Sequence, residues 1–366
     1  MIKRLAKMLF VALMAVSLVA CGGGDSGSGG DGEASVHVFY YDYGDTYIST
    51  VRTALDKELD GMDVSYTDYD AAGKQQTQTE QVQTALSSGA TMLVVNIVET
   101  GSDDAAMTII NAAKEKDVPV VFFNREVSNE VVNSYEKCSF VGTDAKEAGI
   151  MQGEMIGDEL VANFDTYDLN KDGKISYAMF KGQEGNNEAI YRTQYAVEDA
   201  DKKLEAAGKA KLEYYDSANS DKYQVDQDGT WSAKAAQDYL ATALGKYNDG
   251  NNNMIELVIC NNDGMAEGAI SALQTAGYNK KGGDKTIPVY GVDATKAAVD
   301  LIGQGVMAGT IKQDAEGMAK VIALAVKNDV AGDDTFKGID DSGVEGVKVD
   351  DGVAKARIPY QIYTGE

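Results

Sequence analysis

Short apolar runs alternate with longer amphipathic stretches along most of the chain. Residues 36–41, 92–97, 118–123, 175–180, 255–260 and 287–292 are dense in Val, Ile and aromatic side chains and read as strands. Residues 48–59, 77–87, 105–116, 145–160, 188–207, 233–244 and 264–276 space their apolar positions at helical period. Strands that are apolar on both faces need cover on both faces. The pattern therefore predicts an α/β fold whose parallel sheets are clad by helices on either side. At about 150 residues per domain, a chain of 366 residues accommodates two such sheets. Open α/β sheets bind ligands beyond the carboxyl ends of their strands. There the chain places residues 42–47, Asn124 and Arg125, then Asn261, Asn262 and Asp263, and finally Asp293. Amides, carboxylates and guanidinium groups suit vicinal hydroxyls, which both donate and accept, and aromatic rings suit the apolar faces of a sugar.

The first 35 residues follow a different pattern. Lys3, Arg4 and Lys7 precede an apolar stretch, 8–20, of about 13 residues, where a bilayer span needs about 20. Residues 1–20 are read as an export signal. The signal ends in Leu18-Val19-Ala20-Cys21, which resembles a lipobox, so Cys21 is expected to be the acylated N-terminus of the mature chain. Residues 21–35 are almost entirely Gly, Ser, Asp and Glu and read as a flexible tether. A lipid, a tether and a folded body together describe a protein held on the outer side of the cell membrane, at the cell surface or in the periplasm.

Composition narrows the function. There are 58 acidic and 33 basic side chains, giving a formal charge of −25. Loss of the three signal-peptide cations takes the mature chain to −28. No cluster of Lys and Arg offers a phosphate footprint, which argues against nucleic acid. One histidine, His37, leaves no material for triads or histidine-rich metal centres. Cys138 and Cys260 lie in or beside apolar runs and are expected as buried free thiols, although their spacing alone leaves a disulfide open.

The sharpest local motif is Asp168-Leu169-Asn170-Lys171-Asp172-Gly173-Lys174-Ile175-Ser176. Its acidic and amide side chains at positions 1, 3 and 5, with glycine at 6, match the first half of a calcium-binding loop. Position 7 gives only its carbonyl, so Lys174 is compatible there, and Ser176 stands at position 9. Position 12, where a bidentate glutamate belongs, is Met179, and a strand follows instead of a helix. A further carboxylate must therefore come from elsewhere in the chain.

Together these segments resemble the periplasmic galactose/glucose-binding proteins of sugar ABC transporters. The resemblance runs over nearly all of 36–360 and is carried by 118–124, 141–144, 168–175, 255–263 and 287–293, in that order. It implies two Rossmann-like lobes of parallel sheet joined by three hinge strands, with sugar bound between them. The lobes are expected to be 36–142 plus 314–356, and 143–313 plus 357–366, the latter carrying the calcium loop. Carried over position by position, the resemblance implies cleft roles for Asp45, Asn124, Arg192, Asn262 and Asp293, with Tyr47 and Trp231 stacking on the sugar. It completes a structural Ca2+ site of Asp168, Asn170, Asp172, Lys174 and Ser176 with Glu256. The chain departs from the family at Asn186, Glu188 and Gln313, which stand where a histidine, an aspartate and an asparagine are usual, and at Ser176, where glutamine is usual. Each cleft substitution keeps hydrogen-bonding capacity but changes reach, so the sugar class is better specified than the individual sugar.

The function expected is a monomeric, lipid-anchored receptor that captures a monosaccharide, galactose or glucose first, and delivers it to an ABC permease and its ATPase. Another hexose or pentose and a sugar-sensing role with a chemoreceptor stand as alternatives. No phosphate-binding loop is present. A calcium-dependent glycosidase would need two opposed carboxylates, for which Asp45 with Asp293 or Glu188 are the candidates. Nothing beyond abundant acids favours an enzyme.

Overall fold

A computed structural model of the chain describes residues 34–283 and 285–365. The predicted signal, Cys21 and all but the end of the tether lie outside the described residues. The first sheet is built from β1 (Ala34–Tyr40), β2 (Val64–Asp70), β3 (Met92–Val95), β4 (Val120–Phe123) and β5 (Cys138–Gly142). The second contains β6 (Ser176–Lys181), β7 (Glu213–Tyr214), β8 (Gln224–Val225), β9 (Leu257–Cys260), β10 (Val289–Asp293) and β11 (Gly309–Lys312). The last segment contributes β12 (Lys348–Val349) and β13 (Lys355–Arg357) to the first sheet and β14 (Gln361–Tyr363) to the second.

Strand order is β12-β13-β5-β4-β3-β1-β2 in one sheet and β14-β11-β10-β9-β6-β7 in the other, with β8 also paired to β6. The sheets are dominated by parallel pairs, as expected, and the C-terminal segment adds antiparallel edges: β12 on β13 and β14 on β11.

The helices are α1 (Thr46–Asp60), α2 (Gln75–Ser87), α3 (Asp104–Glu115), α4 (Asn129–Asn133), α5 (Ala145–Tyr167), α6 (Asn187–Ala206), α7 (Ala233–Leu244), α8 (Asp263–Thr275), α9 (Lys296–Gly303) and α10 (Ala315–Ala331). Each sheet is sandwiched. Val36, Val38 and Tyr40 of β1 pack towards α1 and α10, while Phe39, with Leu93 and Val95 of β3, packs towards α2 and α3. In the second sheet Phe180 and Val258 face α7 and α8, while Tyr177, Met179 and Ile259 face α5 and α6. Burial on both faces explains why these strands lack a polar alternation.

The chain passes between the sheets three times: after β5, after β11, and between β13 and β14. Two of the passages, after β5 and between β13 and β14, are tied together, since Thr143 donates its hydroxyl to the Tyr360 Oη at 2.8 Å. One close helix pair sets the second lobe's share of the cleft. Gly149, Gly153 and Gly157 of α5 lie four apart, and a Cβ on Gly149 or Gly153 would come within 2.5 or 2.6 Å of a backbone oxygen of α6. Only a residue without a side chain allows that approach, which fixes where α6 begins.

Candidate functional site

Three helices point their N-termini into the space between the sheets, and each is capped by a residue that also lines it. Asp45 caps α1, accepting from the Ile48 N–H at 2.8 Å. Asn186 caps α6, accepting from Ala189 at 2.9 Å, and Asn262 caps α8, accepting from Met265 at 2.9 Å. The second oxygen of Asp45 takes the Tyr41 hydroxyl and the Asn186 amide reaches Thr100 Oγ1 at 3.5 Å, while Asn262 keeps its amide nitrogen for the cleft. The strand ends provide Asn124 after β4 and Asp293 at the end of β10, both with positive φ (+60° and +124°). Such backbone is costly away from glycine and turns each side chain sharply off its strand.

All ten predicted cleft residues line one cavity: Asp45, Tyr47, Asn124, Asn186, Glu188, Arg192, Trp231, Asn262, Asp293 and Gln313. Its free volume is about 40 Å3, below the usual small-molecule range of about 300–1,000 Å3, so the walls must part to admit a sugar-sized ligand. Three further residues share the wall: Tyr41, Ile48 and Arg125. Tyr41 ends an apolar run and reads as core, yet its hydroxyl donates to Asp45 Oδ2 at 2.5 Å. Arg125 stacks on the Tyr41 ring, 3.5 Å from its centroid, and donates to the Val98 carbonyl at 2.6 Å. It acts as a floor more than as a free cation. Of the other strand-end polar residues, Asp42 closes its own turn on the Gly44 N–H. Asn261 and Asp263 are buried supports, accepting from the Gly182 N–H and the Thr310 hydroxyl respectively.

Arg192 is the electrostatic centre. It is buried and donates to the Asn261 carbonyl (2.9 Å), Gln313 Oε1 (3.2 Å) and Tyr360 Oη (3.0 Å). Burial disfavours its charge, but the Tyr360, Asp293 and Glu188 groups around it hold its pKa above the ordinary value. Burial raises the pKa of Asp293 well above the ordinary carboxylate value, with Arg192 opposing, and raises that of Glu188, with the Glu126 N–H and Arg192 opposing. Four polar atoms of the wall are buried and have no partner: Glu188 Oε2, Arg192 Nε, Trp231 Nε1 and Gln313 Nε2. Leaving such a group unpaired costs about 1–3 kcal/mol each, so the wall is built for a ligand that supplies both donors and acceptors.

Trp231 also has positive φ (+58°), and its indole lies flat on the backbone of Gly182. A Cβ on Gly182 would come within 2.1 Å of two ring carbons, so glycine is required there. The acidic stretch 216–228 ends in a turn that serves this placement. Asp226 accepts from the Ser232 N–H at 2.8 Å and the Thr230 hydroxyl at 3.1 Å, folding the chain around Trp231. Tyr47 is buried against α10, its hydroxyl directed at Met318 Sδ at 3.9 Å.

The predicted metal loop precedes β6. Asp168 accepts from the Asp172 and Gly173 N–H groups, and Asp172 accepts from the Lys174 N–H. Glu256, fully buried beside β9, accepts from Leu169 and Asn170 through Oε1 and from Ser176 through Oε2. Among the described residues no group of three or more His, Cys, Asp or Glu side chains converges as a metal cluster. The donor set is nevertheless all oxygen, and Glu256 is brought close enough to Asp168 to feel its charge. That chemistry fits a hard cation. Cys138 and Cys260 are buried free thiols on different sheets, with pKa values raised by desolvation. His37 is buried on β1, hydrogen-bonded to Ser35 and Tyr69.

A family model described as the periplasmic binding protein domain matches residues 36–334. The D-galactose/methyl-galactoside binding periplasmic protein MglB of Haemophilus influenzae is 34% identical over 345 residues, covering 93% of this chain and 92% of that protein. A xylitol-binding protein of Mycolicibacterium smegmatis is 23% identical, covering 88% and 80%. Among solved structures, an ABC transporter solute-binding protein of Clostridium phytofermentans with bound β-D-glucose superposes with a TM-score of 0.69 at 21% identity, covering 90% of this chain and 94% of its own. One from Bacillus halodurans with bound myo-inositol gives 0.67 at 22%, covering 92% and 96%.

Proposed function

This chain belongs to the periplasmic binding protein family, and we propose that it captures a monosaccharide, galactose or glucose, between its two sheets and hands it to an ABC transporter. The observation that carries the reading is the set of four buried, unpartnered polar atoms on a wall that also presents Tyr47 and Trp231. Three of those atoms donate and one accepts, as neighbouring hydroxyls of a pyranose require. Trp231 and Tyr47 supply apolar faces, and Asp45, Asn124, Asn262 and Asp293 supply the remaining polar contacts. The relative named for D-galactose and methyl-galactoside, similar over nearly the whole chain, supports galactose as the first ligand to test. Asn186, Glu188 and Gln313 are the positions at which preference among sugars is set.

The chain does no chemistry on its ligand. Arg192 orients the sugar through its free Nε, the carboxylates accept hydroxyl protons in hydrogen bonds without removing them, and closure excludes water. The cationic start, the short apolar stretch 8–20 and the Leu18-Val19-Ala20-Cys21 sequence support an extracytoplasmic protein anchored through Cys21. A Ca2+ ion held by Asp168, Asn170, Asp172, the Lys174 carbonyl, Ser176 and Glu256 would supply a structural cross-link between the loop and β9. Titration of the chain lacking residues 1–21 with glucose, galactose, xylose, ribose and arabinose, followed by Trp231 emission, tests the reading. A saturable change with galactose or glucose is expected, and no response to any of the five would overturn it.

A further inference from the structure

We propose that Glu188 is the latch that makes closure of the cleft conditional on a hydroxyl-bearing ligand. This inference rests on the sugar-binding reading and assigns the residue a role beyond contact with the sugar. Glu188 stands on the first turn of α6, on the second sheet's side. Its Oε1 nonetheless accepts a hydrogen bond at 3.0 Å from the backbone N–H of Glu126, which follows β4 on the first sheet's side. The donor is rigidly held. The Glu126 carboxylate takes Lys355 Nζ at 2.9 Å and Arg357 Nη2 at 2.6 Å, both from β13. Alongside, the Gly101 and Gly185 backbones approach so closely that a Cβ on Gly101 would lie 3.3 Å from the Gly185 carbonyl oxygen. Glu188 is thus a direct polar bond across the mouth, at a place where the two sides touch.

The same carboxylate is unfinished. Oε2 is buried and has no protein partner. In an open cleft water satisfies both oxygens. In a closed, empty cleft Oε1 keeps its N–H but Oε2 is stripped, which disfavours closure. A ligand hydroxyl donating to Oε2 removes that penalty, so the bond to Glu126 forms at low cost only when such a ligand is present. Side-chain length matters. An aspartate would draw the carboxylate back by about 1.5 Å, too far to reach the opposite backbone while still facing the ligand. A glutamine keeps the reach and the acceptor but removes the charge that makes an empty closed cleft unfavourable.

The test compares wild type, Glu188→Asp and Glu188→Gln. D-Galactose and D-glucose are the probes, with stopped-flow Trp231 emission for release and small-angle scattering for closure. Wild type is expected to become more compact on binding. Glu188→Asp should release sugar about tenfold faster or more and compact less, with its melting temperature without sugar close to wild type. Glu188→Gln should be more compact than wild type in the absence of sugar. Wild-type release and compaction in Glu188→Asp, or a sugar-free Glu188→Gln as open as wild type, overturns the latch alone. A wild type that neither binds nor compacts with either sugar overturns the sugar reading, and the latch falls with it.

Discussion

Trp231 and Gly182 show how tightly single residues set this cleft. The indole rests on a glycine whose missing side chain leaves the only room for it, and the turn behind it is held by Asp226. Gly182→Ala should push the ring into the cleft, weaken galactose or glucose binding by about tenfold or more, and shift Trp231 emission in the sugar-free protein. Unchanged affinity and emission would mean that the ring is seated by other contacts. Sequence reading reached Asn124 and Asp293 because polar residues directly after apolar strands stand out. Asn186, Glu188, Trp231 and Gln313 became visible only through family resemblance, since they lie on helix starts and turns where polar residues are ordinary. Tyr41 and Gly182 gave no signal of their own. One reads as the end of an apolar run, and the other matters through a ring far along the chain.

At the scale of elements, the strands and helices with strong periodicity were legible, and the rest had physical reasons to hide. β2 is a half-buried edge strand that carries Asp68 and Asp70, so it lacks the apolar run of its neighbours. α10 packs beside α1 on the same face of the sheet and has little polar face to mark its period. β7, β8, β12, β13 and β14 are only two or three residues long. Asp68 of β2 lies beside Asp56 of α1, and burial together with that like charge raises its pKa to about 7. The folded state then retains a proton that the unfolded chain gives up near pH 4. Stability from this group is full at low pH and is lost as pH rises through 7. Asp263, at about 7, and Asp329, at about 6, act in the same direction. Asp68→Asn is expected to flatten the fall in melting temperature between pH 5 and pH 8 (about those limits), read by circular dichroism. An unchanged pH slope would remove Asp68 as a contributor.

The loop between α5 and β6 carries a second prediction at this scale. Chelation with EGTA should lower the melting temperature by several degrees, about 4 °C or more, and added Ca2+ should restore it. Glu256→Gln should abolish the response, because the loop contributes only two carboxylates of its own, Asp168 and Asp172. A melting temperature indifferent to both EGTA and Ca2+ would show that backbone hydrogen bonds alone hold Glu256 and the loop.

For the whole molecule, the alternating pattern foretold two helix-clad sheets, and the family resemblance supplied the arrangement that puts a cleft between them. What the pattern could not supply was the return of the C-terminal segment, which adds antiparallel edges to both sheets and brings Tyr360 beneath Arg192. Arg192 joins these levels, since it touches a strand end of one sheet, a crossing segment at Gln313 and another at Tyr360, and it offers its Nε–H to the cleft. The most direct measurement is isothermal titration of galactose and glucose into the chain lacking residues 1–21, beside its Arg192→Ala variant. One saturable site per chain for at least one of the two sugars, weakened about a hundredfold or more in the variant, is the predicted result. No heat of binding from either sugar, or equal affinity without Arg192, would contradict the account.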